Sequence, residues 1–115
     1  MTYEFDKNIP IYLQIEEQIK LNIIKGIYKK SEKLPSVREY AVMLKTNPNT
    51  INRALLELED QGLVKTQRTN GKYVTEDENI INKTKQEYIK KTTEEFLKKL
   101  EEINVSKKEI LELIK

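Results

Sequence analysis

A mainly α-helical fold with one small β-hairpin is expected for this chain, on three observations. Residues 34–58, LPSVREYAVMLKTNPNTINRALLEL, divide into two short helices about a tight turn. The stretch before them, PIYLQIEEQIKLNIIKGIY, places isoleucine at 11, 15, 19 and 23, the recurrence of one helix face. After them, Asn70-Gly71 stands between two runs rich in β-branched and aromatic residues, the strongest short hairpin signal.

Taken in order, residues 1–9 form an extended lead-in with Tyr3 and Phe5 alternating. The first helix opens at Pro10. Tyr12 and Ile24 widen its isoleucine stripe and Gly26 serves as its C-cap, so it is a packing helix. KKSEK at 29–33 is a polar connector. Ser36 and Glu39 make a capping box, opening a helix with Val37, Tyr40, Ala41 and Leu44 on one face. Pro48 forces that helix to end before it, yet suits a first helical position, with Asn47 as N-cap. The helix so begun has Ile51, Ala54, Leu55 and Leu58 as its apolar stripe. Asn49, Asn52 and Arg53 point away from that stripe, with Thr50 on the flank. Gly62 ends it. Residues 63–68 and 72–75 are the strands of the hairpin, joined by a type I′ turn at Asn70-Gly71, its tip bearing Arg68 and Lys72.

The remaining forty residues read as two amphipathic helices. Thr75 and Glu78 form a second capping box, and Ile81, Tyr88, Thr92, Phe96, Leu100 and Ile103 follow at helical spacing. At 1.5 Å per residue that helix is about 40 Å long. Asn104-Val105 interrupts it, and Ser106 with Glu109 opens a last helix bearing Ile110, Leu111 and Ile114. Two such helices cannot bury their stripes alone, so a second protomer is the simplest cover. The expected division is therefore 1–75 as one domain and 76–115 as a helical dimerisation tail. Its interface is drawn from Ile81, Tyr88, Phe96, Leu100, Ile103, Ile110 and Ile114.

Composition narrows the chemistry. The chain has neither cysteine nor histidine, which removes thiolate nucleophiles, the commonest general base and the commonest metal ligands. Carboxylate pairs such as Glu94-Glu95 and Glu101-Glu102 belong to solvated helix faces, so no enzyme, metal site or cofactor is expected. No apolar run reaches membrane-spanning length and no signal-peptide pattern opens the chain, so a cytoplasmic protein without membrane contact is expected. Net charge is only +2, with 12 Lys/Arg against 9 Asp/Glu in residues 1–75 and 9 against 10 in residues 76–115. Arginine is kept at three positions among 21 basic residues: Arg38, Arg53 and Arg68. In a lysine-rich chain, such arginines suit places where a planar fork matters.

A helix whose first two turns offer amides, a hydroxyl and a guanidinium can reach base edges. Asparagine reads adenine bidentately, arginine reads guanine or clamps phosphate, and a threonine methyl meets that of thymine. On polarity alone the same face also fits an ordinary solvated helix. The basic hairpin beside it favours nucleic acid.

Three helices and then a hairpin make a winged helix-turn-helix. PIYLQIEEQI, LPSVREYA, TNPNTINRALLELEDQGLV and the closing NGKYV together resemble the GntR family of bacterial transcription regulators over residues 9–75. NPNT-x-x-RA and the short tail resemble its YtrA-type subfamily. The resemblance implies a homodimer on a two-fold symmetric double-stranded DNA operator, usually as a repressor. It places DNA contacts on Ser36 and Arg38 of the LPS-x-RE motif. Others fall on Asn47, Asn49, Thr50, Asn52 and Arg53 at the reading helix, and on Arg68, Gly71 and Lys72 at the wing. Of these, Asn49, Thr50 and Asn52 are expected to read bases, and Arg53 and Lys72 to hold phosphates.

The sequence departs from the family pattern at several positions. Thr69 replaces the first wing glycine, and Lys45 stands where glycine follows the second helix, implying a different cap or a strained residue. Val42, Met43 and Leu56 occupy positions that are usually polar. They are open to burial by the tail or to use as a partner surface, which keeps a winged-helix protein-interaction module as the alternative function. A small-molecule effector is left open, because forty residues of helix enclose no obvious ligand-sized pocket.

Overall fold

The isoleucine stripe forms α1 (Ile11–Ile24) in the computed structural model, which describes residues 4–68 and 70–115. Tyr3 and Thr69 therefore lie outside the described residues. Pro10 offers α1 no side-chain cap, and Gln14 supplies the tie to the lead-in. Its amide donates to the carbonyls of Asp6 and Ile9 and its Oε1 accepts from the Asp6 N–H, each at 2.8 Å. Gly26, at φ +78°, follows the Lys25 cap, and the Ile27 N–H returns to the Asn22 carbonyl (2.9 Å), closing the helix end.

Two short helices follow, α2 (Val37–Leu44) and α3 (Pro48–Asp60), the latter packed on both α1 and α2. The Ser36–Glu39 capping box is formed, and Asn47 caps α3 with Pro48 in its first turn. Lys45 takes a left-handed conformation (φ 51°, ψ 48°), so the α2 end is built as a glycine would build it, but with a side chain attached.

The hairpin comprises β1 (Val64–Gln67) and β2 (Gly71–Val74), antiparallel from Val64↔Val74 to Gln67↔Gly71. Its turn differs from expectation. Gln67 pairs with Gly71, the Asn70 N–H returns to the Gln67 carbonyl (3.1 Å), and Gly71 is already in β2 at φ +94°. A three-residue loop followed by a left-handed glycine accommodates the same strand twist as a two-residue type I′ turn. On its other side β2 meets the 31–34 connector, where the Leu34 N–H donates to the Lys72 carbonyl and the Val74 N–H to that of Glu32, both at 2.9 Å.

The core gathers Ile15, Ile19 and Ile23 of α1, Leu34, Tyr40 of α2, Ile51, Ala54, Leu55 and Leu58 of α3, and Leu63, Val64 and Val74 of the hairpin. Inside it, the Tyr40 hydroxyl donates to that of Tyr28 (2.9 Å), and burial pushes the Tyr40 hydroxyl pKa far up.

The next helix, α4 (Glu78–Glu101), starts differently from expectation. Thr75 is fully buried and its hydroxyl accepts from the Asp77 N–H, while the Asp77 carboxylate accepts from Asn79 N–H and does the capping. The described residues form two compact units that part between Asn82 and Lys83, inside α4. The expected division falls after Thr75, seven residues earlier. By packing, Ile80 and Ile81 join the first core, and Glu78 pairs with Lys30 (2.7 Å). In the second unit a turn with a left-handed Asn104 follows α4, and Ser106 caps α5 (Lys107–Ile114) through a capping box with Glu109. No described helix is long and apolar enough to cross a membrane.

Candidate nucleic-acid interface

The polar face of α3 is outward because its apolar stripe has no freedom to turn. Ile51, Ala54, Leu55 and Leu58 are completely buried, which leaves Asn49, Asn52 and Arg53 exposed and Thr50 half-buried. Asn47 spends its side-chain oxygen on the Asn49 N–H (2.8 Å), so its first duty is to start the helix. In the same way Ser36 accepts from the Glu39 N–H (3.0 Å). The Ser36 N–H in turn holds the Glu39 carboxyl below its ordinary range. Between them Arg38 is exposed in the first turn of α2. The structure thus brings Asn49, Thr50, Asn52 and Arg53 onto one surface of α3, with Arg38 on the packed neighbouring helix. Arg68 and Gly71 are exposed on the hairpin.

Two of the expected phosphate contacts have partners within the chain. The Arg53 guanidinium lies over the Tyr12 ring, 3.7 Å from its centroid, a cation–π contact that orients the fork. The Lys72 ammonium is 3.1 Å from the Glu59 carboxylate and 3.0 Å from the Thr66 hydroxyl, which itself donates to Glu59. Those bonds hold the Glu59 carboxyl below its ordinary range, the Thr66 hydrogen bond foremost. Sequence reasoning missed Tyr12, Glu59 and Thr66. By its spacing Tyr12 belongs to the α1 stripe, and nothing local marks a carboxylate on α3 as the partner of a lysine across a turn.

The apolar residues expected at a dimer interface divide. Ile81 is taken by the first unit's core, because the first turn of α4 packs there, and Ile110 is buried within the second unit. Tyr88 and Leu100 are half-buried, whereas Phe96, Ile103 and Ile114 are exposed. Ile89, Leu111 and Leu113 are exposed with them. An apolar groove of about 530 Å³ is lined by Phe96, Leu97, Ile110, Leu111 and Ile114. On the first unit, Val42, Met43 and Leu56 remain exposed, Val42 at 75%.

Residues 11–74 match the family model described as "Bacterial regulatory proteins, gntR family". The whole chain is 39% identical to the uncharacterized HTH-type transcriptional regulator YhcF of Bacillus subtilis, covering 95% of it. Over 67 residues, 58% of this chain, it is 49% identical to the HTH-type transcriptional repressor YtrA of the same organism, about half of whose length (52%) is spanned. Among solved structures, a GntR family transcriptional regulator from Listeria monocytogenes superposes with a TM-score of 0.90 at 39% identity, over 96% of both chains. The DNA-binding domain of AraR in complex with operator ORR3 matches 65% of this chain and 88% of its own, with a TM-score of 0.57 at 28% identity.

Proposed function

Because the chain belongs to the gntR family of bacterial regulatory proteins, we propose that this DNA-binding transcriptional regulator is a homodimeric repressor of a two-fold symmetric operator. The observation that carries the DNA side is the outward face of α3, where the side chains of Asn49 and Asn52 make no hydrogen bond among the described residues and both residues are exposed. Amides so presented at the start of a helix match adenine edges in a major groove. Thr50 adds a methyl and a hydroxyl beside them, and Arg38, Arg53 and Arg68 supply phosphate contacts around the reading surface. Arg53 can serve while stacked on Tyr12, since the ring covers its face and leaves its N–H edge open.

The dimer rests on the exposed apolar residues of α4 and α5. Phe96, Ile103, Leu111, Leu113 and Ile114 in one short helical unit form a surface that a second copy would cover. Two reading heads joined in this way require a palindromic site. Repression is supported by the repressor YtrA among the relatives, and the cytoplasmic location and residue roles are those expected from the sequence. Val42, Met43 and Leu56, exposed on α2 and α3, favour a protein partner as a second reading.

Selection of bound sequences from a pool of random duplexes tests the proposal. A two-fold symmetric consensus with half-sites about one helical turn apart is the expected outcome. Recovery of no consensus at all would leave a protein-interaction module in its place.

A further inference from the structure

Among the expected DNA contacts on the wing, Lys72 has its charge already engaged, and what engages it lies on the reading helix. We propose that Glu59 is a positioning residue of the DNA interface: it clamps both wing strands to the last turn of α3 and withholds the Lys72 ammonium from sequence-independent phosphate binding. Three elements meet in this cluster. Glu59 projects from α3, Thr66 from β1 and Lys72 from β2. Each carboxylate oxygen has its own partner, Oε1 the Thr66 hydroxyl and Oε2 the Lys72 ammonium, and the lysine closes the ring by donating to Thr66 (3.0 Å).

The pair is sheltered, with side-chain exposures of 16% for Lys72 and 28% for Glu59, so it is screened less than a surface pair. On its far edge β2 is tied down again, the Lys72 carbonyl receiving the Leu34 N–H (2.9 Å). The wing is thereby fixed from both sides. A lysine free at this place would neutralise a phosphate on any sequence, which raises background binding as much as operator binding. Holding it in a pair lowers the background without touching a base contact.

This inference rests on the hairpin's acting as a DNA-facing wing, and its test separates the two ideas. The intact chain and its Glu59→Gln, Lys72→Met and doubly substituted variants are titrated against a random-sequence duplex and the selected duplex, over a range of salt. Release of the lysine should make Glu59→Gln bind the random duplex several-fold more tightly and steepen its salt dependence by about one unit. Affinity for the selected duplex should rise by about the same factor, leaving the ratio of the two unchanged. Lys72→Met should leave the slope unchanged, and the double variant should return to it. In the free protein, the hairpin amides of Glu59→Gln should exchange faster than those of the parent. The idea is overturned if Lys72→Met flattens the slope by about one unit while Glu59→Gln changes neither slope nor exchange. Lys72 would then be an ordinary phosphate contact. Failure of the parent to bind either duplex removes the DNA reading itself, whatever the exchange rates show.

Discussion

Lys45 holds a left-handed backbone with a full side chain, at a cost of about 1–2 kcal/mol relative to glycine. Glycine gives back part of that through its freer unfolded chain, so Lys45→Gly should stabilise the protein by about 0.5–1 kcal/mol. A rise of roughly 2–4 °C in the melting temperature would show it. Asn52 is exposed and its side chain makes no hydrogen bond among the described residues, so its removal should register in DNA and not in folding. Asn52→Ala should cost about 1–3 kcal/mol on the selected operator and relax the preference at one or two base pairs per half-site. Equal binding by the variant, measured on single-base operator variants, would refute its base-reading role. Glu59 adds a pH dependence. Its carboxyl is held below the ordinary value of 4.5, so the folded state binds the proton less readily than the unfolded one. The stability this contributes is complete above the ordinary value and is lost as pH falls through the lowered one. The stability difference between the parent and Glu59→Gln should therefore be constant near neutrality and shrink on acidification.

The caps at Ser36, Asn47 and Ser106 were legible because each is written in three or four consecutive residues. The apolar stripes of α1 and α3 were legible for a similar reason, since helical spacing is a local pattern. Where the reading slipped, two local solutions competed. Thr75 fits a capping box in sequence, but burial of its side chain hands the cap to Asp77. Asn70-Gly71 signals a turn correctly, and the register then places Gly71 inside β2. Contacts such as Arg53 over Tyr12 and Lys72 with Glu59 were not legible, because they depend on how separate elements approach. Asn47 combines both kinds of information, capping α3 while facing outward. Asn47→Ala should cost about 1 kcal/mol of stability, and Asn47→Ser should restore it. Any loss of operator affinity that persists in the serine variant measures the DNA contact alone.

For the whole molecule, the winged unit includes the first turn of α4, so a chain stopped after Asn82 should fold where one stopped after Thr75 loses Ile80 and Ile81 from its core. The longer truncation should be monomeric by sedimentation and bind a full palindrome about 10²–10⁴ less tightly, with much less change on a single half-site. Phe96→Glu, which puts a charge among exposed apolar residues, should separate protomers in the same way. An intact chain that sediments as a monomer while protecting a full palindrome would confine dimers to DNA. One further consequence follows from the connector that runs beside β2. With β1 on one flank and residues 31–34 on the other, β2 has no open edge, and among the described strands only the four residues of β1 present one. That edge is short and carries Lys65, two features that discourage an incoming strand. Accretion of chains strand upon strand, the ordinary route from small domains to insoluble fibres, has almost no template here. Among the described residues most of the exposed large apolar side chains lie on helix faces, which a partner can cover.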